Sequence, residues 1–178
     1  MRRSERKWIA AAAEHELVVR EFLDVCGQCT EADWNQPPAP DKWSMAAVSL
    51  HICNAYEVAG DAVTGGPGMR LRVSRPYAWF LRTAILPLIL ATKRFPRATA
   101  PREVRPNAEE ADRLAPDAAS IRLRRAADNA LRAFHDAGRD PAAPRMNHAY
   151  FGPINAYTAL RLLSAHTRHH TRALRGRS

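Results

Sequence analysis

Four stretches of this chain place apolar residues three and four positions apart over several turns, and glycine or proline separates each from the next. That punctuated periodicity restricts the chain to packed helices. In the first stretch, Trp8, Ala12, His15, Val19, Phe22 and Cys26 share one stripe, with Ser4 as the expected N-cap and Gly27 as the stop. Thr30 opens a single short turn ending at Trp34, and QPPAPDK must then be loop, because its prolines forbid helix. Ser44 caps the second long stretch, SMAAVSLHICNAYEVAGDAV, which stops at Gly65. A basic connector leads to an apolar helix expected from about Tyr77 to Lys93. Residues 95–117 read as loop with one short helical turn. Asp117 or Ser120 opens the next long helix, which ends before Gly138. RDPAAPRMNHAYFGP reads as loop again, and Asn155 caps a last helix running to about Arg175. With essentially no strand candidates, the expected fold is all-α: one domain over residues 1–178, a four-helix bundle with an additional apolar helical segment and long loops.

Charge excludes little. The net charge is +9, but only Lys7, Lys42 and Lys93 among the 27 basic side chains are lysines, and the arginines are scattered. No helix-turn-helix signature accompanies them, so nucleic-acid binding is not expected; Arg122, Arg125 and Arg132 would have to share one face to support it. The first residues carry acidic groups before any apolar run, unlike a signal peptide. The longest apolar run, YAWFLRTAILPLILA, is broken by Arg82 and Pro87 and is too short to span a bilayer. No membrane association is expected, and the cytoplasm is the expected compartment.

A lone CxxC, Cys26-Gly-Gln-Cys29, cannot complete a tetrahedral site, since Cys53 is the only other thiol. It falls where the first helix ends, and the negative end of a helix dipole raises a thiol pKa. The pair is therefore read as structural.

The histidines carry the chemistry. On the last helix the inward stripe is Ala159, Leu163, His166, His170 and Leu174. His166 and His170 lie one turn apart, with Cβ atoms about 5–6 Å from each other, close enough to share an ion. His169 is turned about 100° from His170 and is the poorer candidate. On the second long helix, His51 is the one strongly polar residue on the stripe Val48, His51, Ala55, Val58 or Ala59, and Ala62. Three imidazoles directed into one core are costly unless something unites them. A divalent cation does so and keeps a fourth position open, the pattern of catalytic rather than structural sites. His15 faces inward as a boundary or supporting histidine. His135 sits near a helix C-terminus, where the dipole favours it, and His148 lies in the loop before the last helix.

Two segments, KWSMAAVSLHICNAYE and HAYFGPINAYTALRLLSAHTRHHTRAL, together resemble the DinB-like superfamily of metal-binding four-helix bundles. The second is similar to the DUF1569 branch, whose members end in a like "FG…H…HH" segment; that branch often carries Gln soon after HxxxH, where this chain has Ala173. The resemblance implies a divalent metal, usually zinc or nickel, on His51, His166 and His170. It also implies frequent homodimers and, in some relatives, use of a low-molecular-weight thiol such as mycothiol or bacillithiol in transfer or isomerisation.

Two functions follow. A metal-dependent enzyme would activate a thiol or water at the open position, with Ser44, Asn54 and His169 as candidate supporting residues. No Asp or Glu falls on the histidine-bearing faces to serve as general base, which disfavours simple hydrolysis. The alternative is a non-catalytic metal-binding bundle acting as a stress-related or dimeric interaction protein. A fourth protein ligand, His15 or His148, would favour the second.

Overall fold

The computed structural model describes residues 3–96, 98–140 and 143–176. Within the expected loops 95–117 and 139–153, residues 97 and 141–142 lie outside that description. Helix α1 (Arg3–Gly27) holds Ser4 inside its first turn rather than at its cap. The short α2 (Glu31–Trp34) starts as expected, with Thr30 Oγ1 accepting the Asp33 N–H at 3.2 Å. Helix α3 (Met45–Val63) is capped by Ser44, whose Oγ accepts the Ala47 N–H at 3.2 Å.

The apolar segment is a helix in three parts: α4 (Arg75–Phe80), a π-helical turn (Leu81–Ile85) and α5 (Leu86–Thr92). Pro87 lacks an N–H, and its ring crowds the carbonyl four residues back. The wider π turn just before it relieves both problems without breaking the helix. Lys93 ends α5 in the left-handed region at φ 56°, and its N–H bonds the Ile89 carbonyl.

The following stretch is more ordered than a loop with one turn. It contains a 3₁₀ turn (Arg102–Val104) and α6 (Ala108–Arg113), capped by Asn107. Helix α7 (Pro116–Arg139) begins at a proline preset for the first turn and runs through Gly138 instead of stopping there. The reason is steric: a Cβ on Gly138 would sit 2.2 Å from Trp8 Cζ2, so this glycine makes room for an indole rather than ending a helix. The expected loop before the last helix folds into a small hairpin of β1 (Met146–His148) and β2 (Gly152–Ile154), with His148 opposite Gly152. Gly152 adopts φ 65°, which a glycine allows at little cost. Helix α8 (Ala156–Arg175) follows, capped by Asn155, which accepts the Thr158 N–H at 2.8 Å.

The bundle consists of α1, α3, α7 and α8. Helix α8 packs along α1 and also touches α3 and α7, while α3 and α7 form the tightest pair. Small residues permit that approach: a Cβ on Gly60 would meet the Ala130 Cα at 3.3 Å. Phe22, Leu50, Ile52, Tyr56, Leu123, Phe134 and Leu160 fill the centre and are almost wholly removed from solvent. Among the described residues no helix is long and apolar enough to cross a membrane.

Candidate metal centre

Because α8 lies against α3, the single histidine of one stripe meets the pair on the other. His51 Nε2 is 3.2 Å from His166 Nε2, and His166 Nε2 is 3.2 Å from His170 Nε2. The three ligand atoms all lie within 4.8 Å of one another. A tetrahedral ion at the usual zinc–imidazole distance holds its nitrogen ligands about 3.3 Å apart. The observed spacing fits that requirement.

Protonation fits as well. His51 Nδ1 is 2.7 Å from the Val104 carbonyl oxygen, so Nδ1 carries the proton and donates, leaving the Nε2 lone pair facing the other two rings. Burial holds the His51 pKa below the ordinary value, opposed by that carbonyl. Burial holds His166 far below it, and His170, His51, His169 and His148 push the same way. Three nitrogens facing one another cannot each have a proton to share, whereas a single cation satisfies all three lone pairs. The group could hold a metal ion.

Neighbouring rings shape the pocket. Trp43 tilts against His51 at 4.9 Å between centroids, and Phe95 packs on His166 at 5.7 Å and on His169 at 5.5 Å. Sequence reasoning singled out none of Trp43, Phe95 and Val104. Trp43 was within reach, since it precedes the Ser44 cap in the KWS turn. Phe95 and Val104 were not, because they arrive on a segment without periodicity.

The other histidines are distributed differently. His15 is buried, with Nδ1 3.4 Å from the Tyr56 hydroxyl, which in turn lies 2.9 Å from Thr167 Oγ1. Burial lowers its pKa to about 4. His148 stacks on Phe151 at 4.6 Å, and its Nδ1 accepts the Tyr150 N–H at 3.2 Å; burial brings it also to about 4. Neither joins the cluster, and among the described residues no further His, Cys, Asp or Glu does. His169 points past His170 toward Phe95, as its helical phase predicts. His135 stays at the surface near Trp8 and Asp136.

Of the supporting residues expected from sequence, Ser44 serves as a helix cap and Asn54 is turned away from the histidines. Asn54 Oδ1 accepts from Arg122 at 3.1 Å, within a network where Arg122 also bonds Glu57 at 2.8 Å and Glu110 at 2.6 Å. Arg122 thus ties α7 to α3 and α6, and Arg132 bonds Asn129.

The cysteines are free thiols. Cys26 contacts Ser49 Oγ at 3.6 Å, and burial pushes its pKa up to about 11 and that of Cys53 to about 12. Cys29 is raised too. None is poised as a nucleophile.

No curated protein and no solved structure matches the chain. A family model does, that of the DinB superfamily, across residues 14–174. This span runs from the second half of α1 to the last turn of α8 and includes both histidine-bearing helices. The chain belongs to the DinB superfamily.

Proposed function

We propose that the chain binds one divalent ion, zinc or nickel, through Nε2 of His51, His166 and His170, and works as a thiol-dependent transferase or isomerase. The observation that carries this reading is the convergence of three Nε2 atoms, two of the pairs at 3.2 Å and all within 4.8 Å, from the buried His51 and the half-buried His166 and His170. Imidazole suits both metals.

When bound, an ion at such a site supplies a Lewis acid that lowers the pKa of a ligated thiol or water. The chain's own residues do the rest. Val104 fixes the His51 tautomer, Trp43 and Phe95 pack against the His51 and His166 rings, and the half-buried His166 and His170 are where a reactant would reach the ion.

Two further points favour a thiol over water as nucleophile. Glu14, on the neighbouring α1, is engaged by Lys93 at 3.0 Å and Arg168 at 3.1 Å, which disfavours it as a base. A thiolate needs none. The thiol would also come from outside, because Cys26 and Cys53 are buried with raised pKa values, and neither they nor Cys29 joins the histidine cluster.

The test is metal content by mass spectrometry on untagged protein. About one ion per chain is expected in wild type and in His169→Ala, with loss in His51→Ala, His166→Ala and His170→Ala. An ion-free wild type after zinc or nickel is supplied would sink the reading.

The reading includes a homodimer. The outer side of the α4–α5 helix carries Tyr77, Trp79, Phe80 and Leu88, each at least 48 % exposed, which offers a second copy an apolar surface. Light scattering on wild type and Trp79→Asp checks it: a dimer should become a monomer.

A further inference from the structure

Beside the three histidines runs a cleft of about 480 Å³, lined by Thr92, Lys93, Arg94, Phe95, His169 and Arg172. Helix geometry makes the two neighbours. Each step of three residues along α8 turns the face by about 60°, so His166, His169 and Arg172 lead successively from the metal face to the cleft wall. Phe95 stands between, its ring against both His166 and His169. A second cleft, of about 360 Å³ near Arg82, Arg145 and Arg161, includes none of the three histidines.

The lining is cationic, and its charges are only partly used. Lys93, held by its left-handed backbone, reaches Glu14 at 3.0 Å, and that carboxylate also takes Arg168 at 3.1 Å. Two guanidinium groups then line the cleft without an acidic partner among the described residues. Among the described residues Arg94 makes no ion pair, and the Arg172 guanidinium makes only a 3.5 Å contact to the Lys93 carbonyl. Among the described residues no carboxylate lines the cleft. Guanidinium forks lining an open cleft suit a carboxylate in charge and in hydrogen-bonding pattern. The volume suits a small molecule of metabolite size.

We propose that this cleft is the subsite for the carboxylate of a small ligand whose other end passes Phe95 to the three histidines, with Arg94 and Arg172 as its specificity-determining residues. The proposal rests on the metal reading above and narrows its substrate to carboxylate-bearing molecules.

The experiment uses the full chain loaded with Co²⁺ and two probe thiols of equal length, 3-mercaptopropionate and 3-mercapto-1-propanol. Thiolate-to-cobalt charge-transfer absorption reports the binding of each. The carboxylate probe should bind about ten-fold more tightly, the factor that one charge-assisted hydrogen bond supplies. The preference should shrink as salt is raised. In the Arg94→Ala/Arg172→Ala variant it should fall to about one, with cobalt content, alcohol affinity and circular dichroism unchanged. Lysine at both positions should restore part of it, and Arg132→Ala should leave it intact. Equal affinities of the two probes in cobalt-loaded wild type would overturn the subsite and leave the metal reading standing, whether or not the variants fold. Failure to bind cobalt, or binding that survives in His51→Ala, would overturn the metal reading and the subsite with it. Cobalt bound without a spectral response to either thiol would overturn the subsite and the open coordination position together.

Discussion

Acid should destabilise this bundle through His15, and the size of the effect can be worked out. The side chain is 2 % exposed, sits edge-on to Tyr56 at 5.3 Å between centroids, and bonds the Tyr56 hydroxyl and the Ala127 backbone. Burial lowers its folded pKa to about 4 from an ordinary 6.5. The unfolded chain therefore binds a proton in a pH range where the folded chain refuses it. Stability from this group is fully present above pH 6.5, declines as pH falls through the window from 6.5 to about 4, and is constant below that. A separation of some two and a half pKa units corresponds to about 3 kcal/mol. Urea unfolding of metal-free protein, followed by helical circular dichroism at pH 7 and pH 4, measures it. His15→Phe keeps the ring volume, removes the titration and leaves Tyr56 its bond to Thr167. Wild type should lose about 3 kcal/mol more than this variant between the two pH values. Equal losses would refute the reasoning, because His15 would then have to titrate near its ordinary value in the folded state.

Zinc at a hundred-fold excess over its dissociation constant should stabilise the fold by about 2.7 kcal/mol, which for a chain of this size raises Tm by about 5–10 °C. Scanning fluorimetry with zinc and then with chelator checks this, and His166→Ala should show no rise. Ser44→Ala removes the acceptor for the Ala47 N–H and should cost about 1 kcal/mol in urea unfolding, with helix content otherwise retained. In native protein at pH 8, iodoacetamide should label Cys29 and spare Cys26 and Cys53, which are buried with raised pKa values; mass spectrometry of the peptides distinguishes the three.

Much of this protein was written locally. The helices α1, α3 and α8 follow from apolar spacing and from caps such as Ser44 and Asn155, because helix periodicity and end chemistry act within a few residues. The inward phase of His51, His166 and His170 came from the same spacing, and so did the outward turn of His169. Local rules failed where a neighbour distant in sequence set the outcome. Gly138 looked like a stop signal, yet Trp8 on another helix needs its missing side chain. The residues before Asn155 looked like loop, since three-residue strands are too short for an alternating pattern to show. Asn54 looked able to support the site until Arg122 from α7 claimed it.

The sequence by itself determined which residues face inward on each helix and where most helices begin. Tertiary structure alone decided that the stripes of α3 and α8 meet at the same height, bringing Nε2 atoms 115 positions apart in sequence to 3.2 Å. It also decided that the segment after α5 crosses this end of the bundle, delivering the Val104 carbonyl and the Phe95 ring. The physical reason is range: hydrogen bonds and rotamers of a helix are settled within a turn or two, whereas a polyvalent site depends on how whole faces pack.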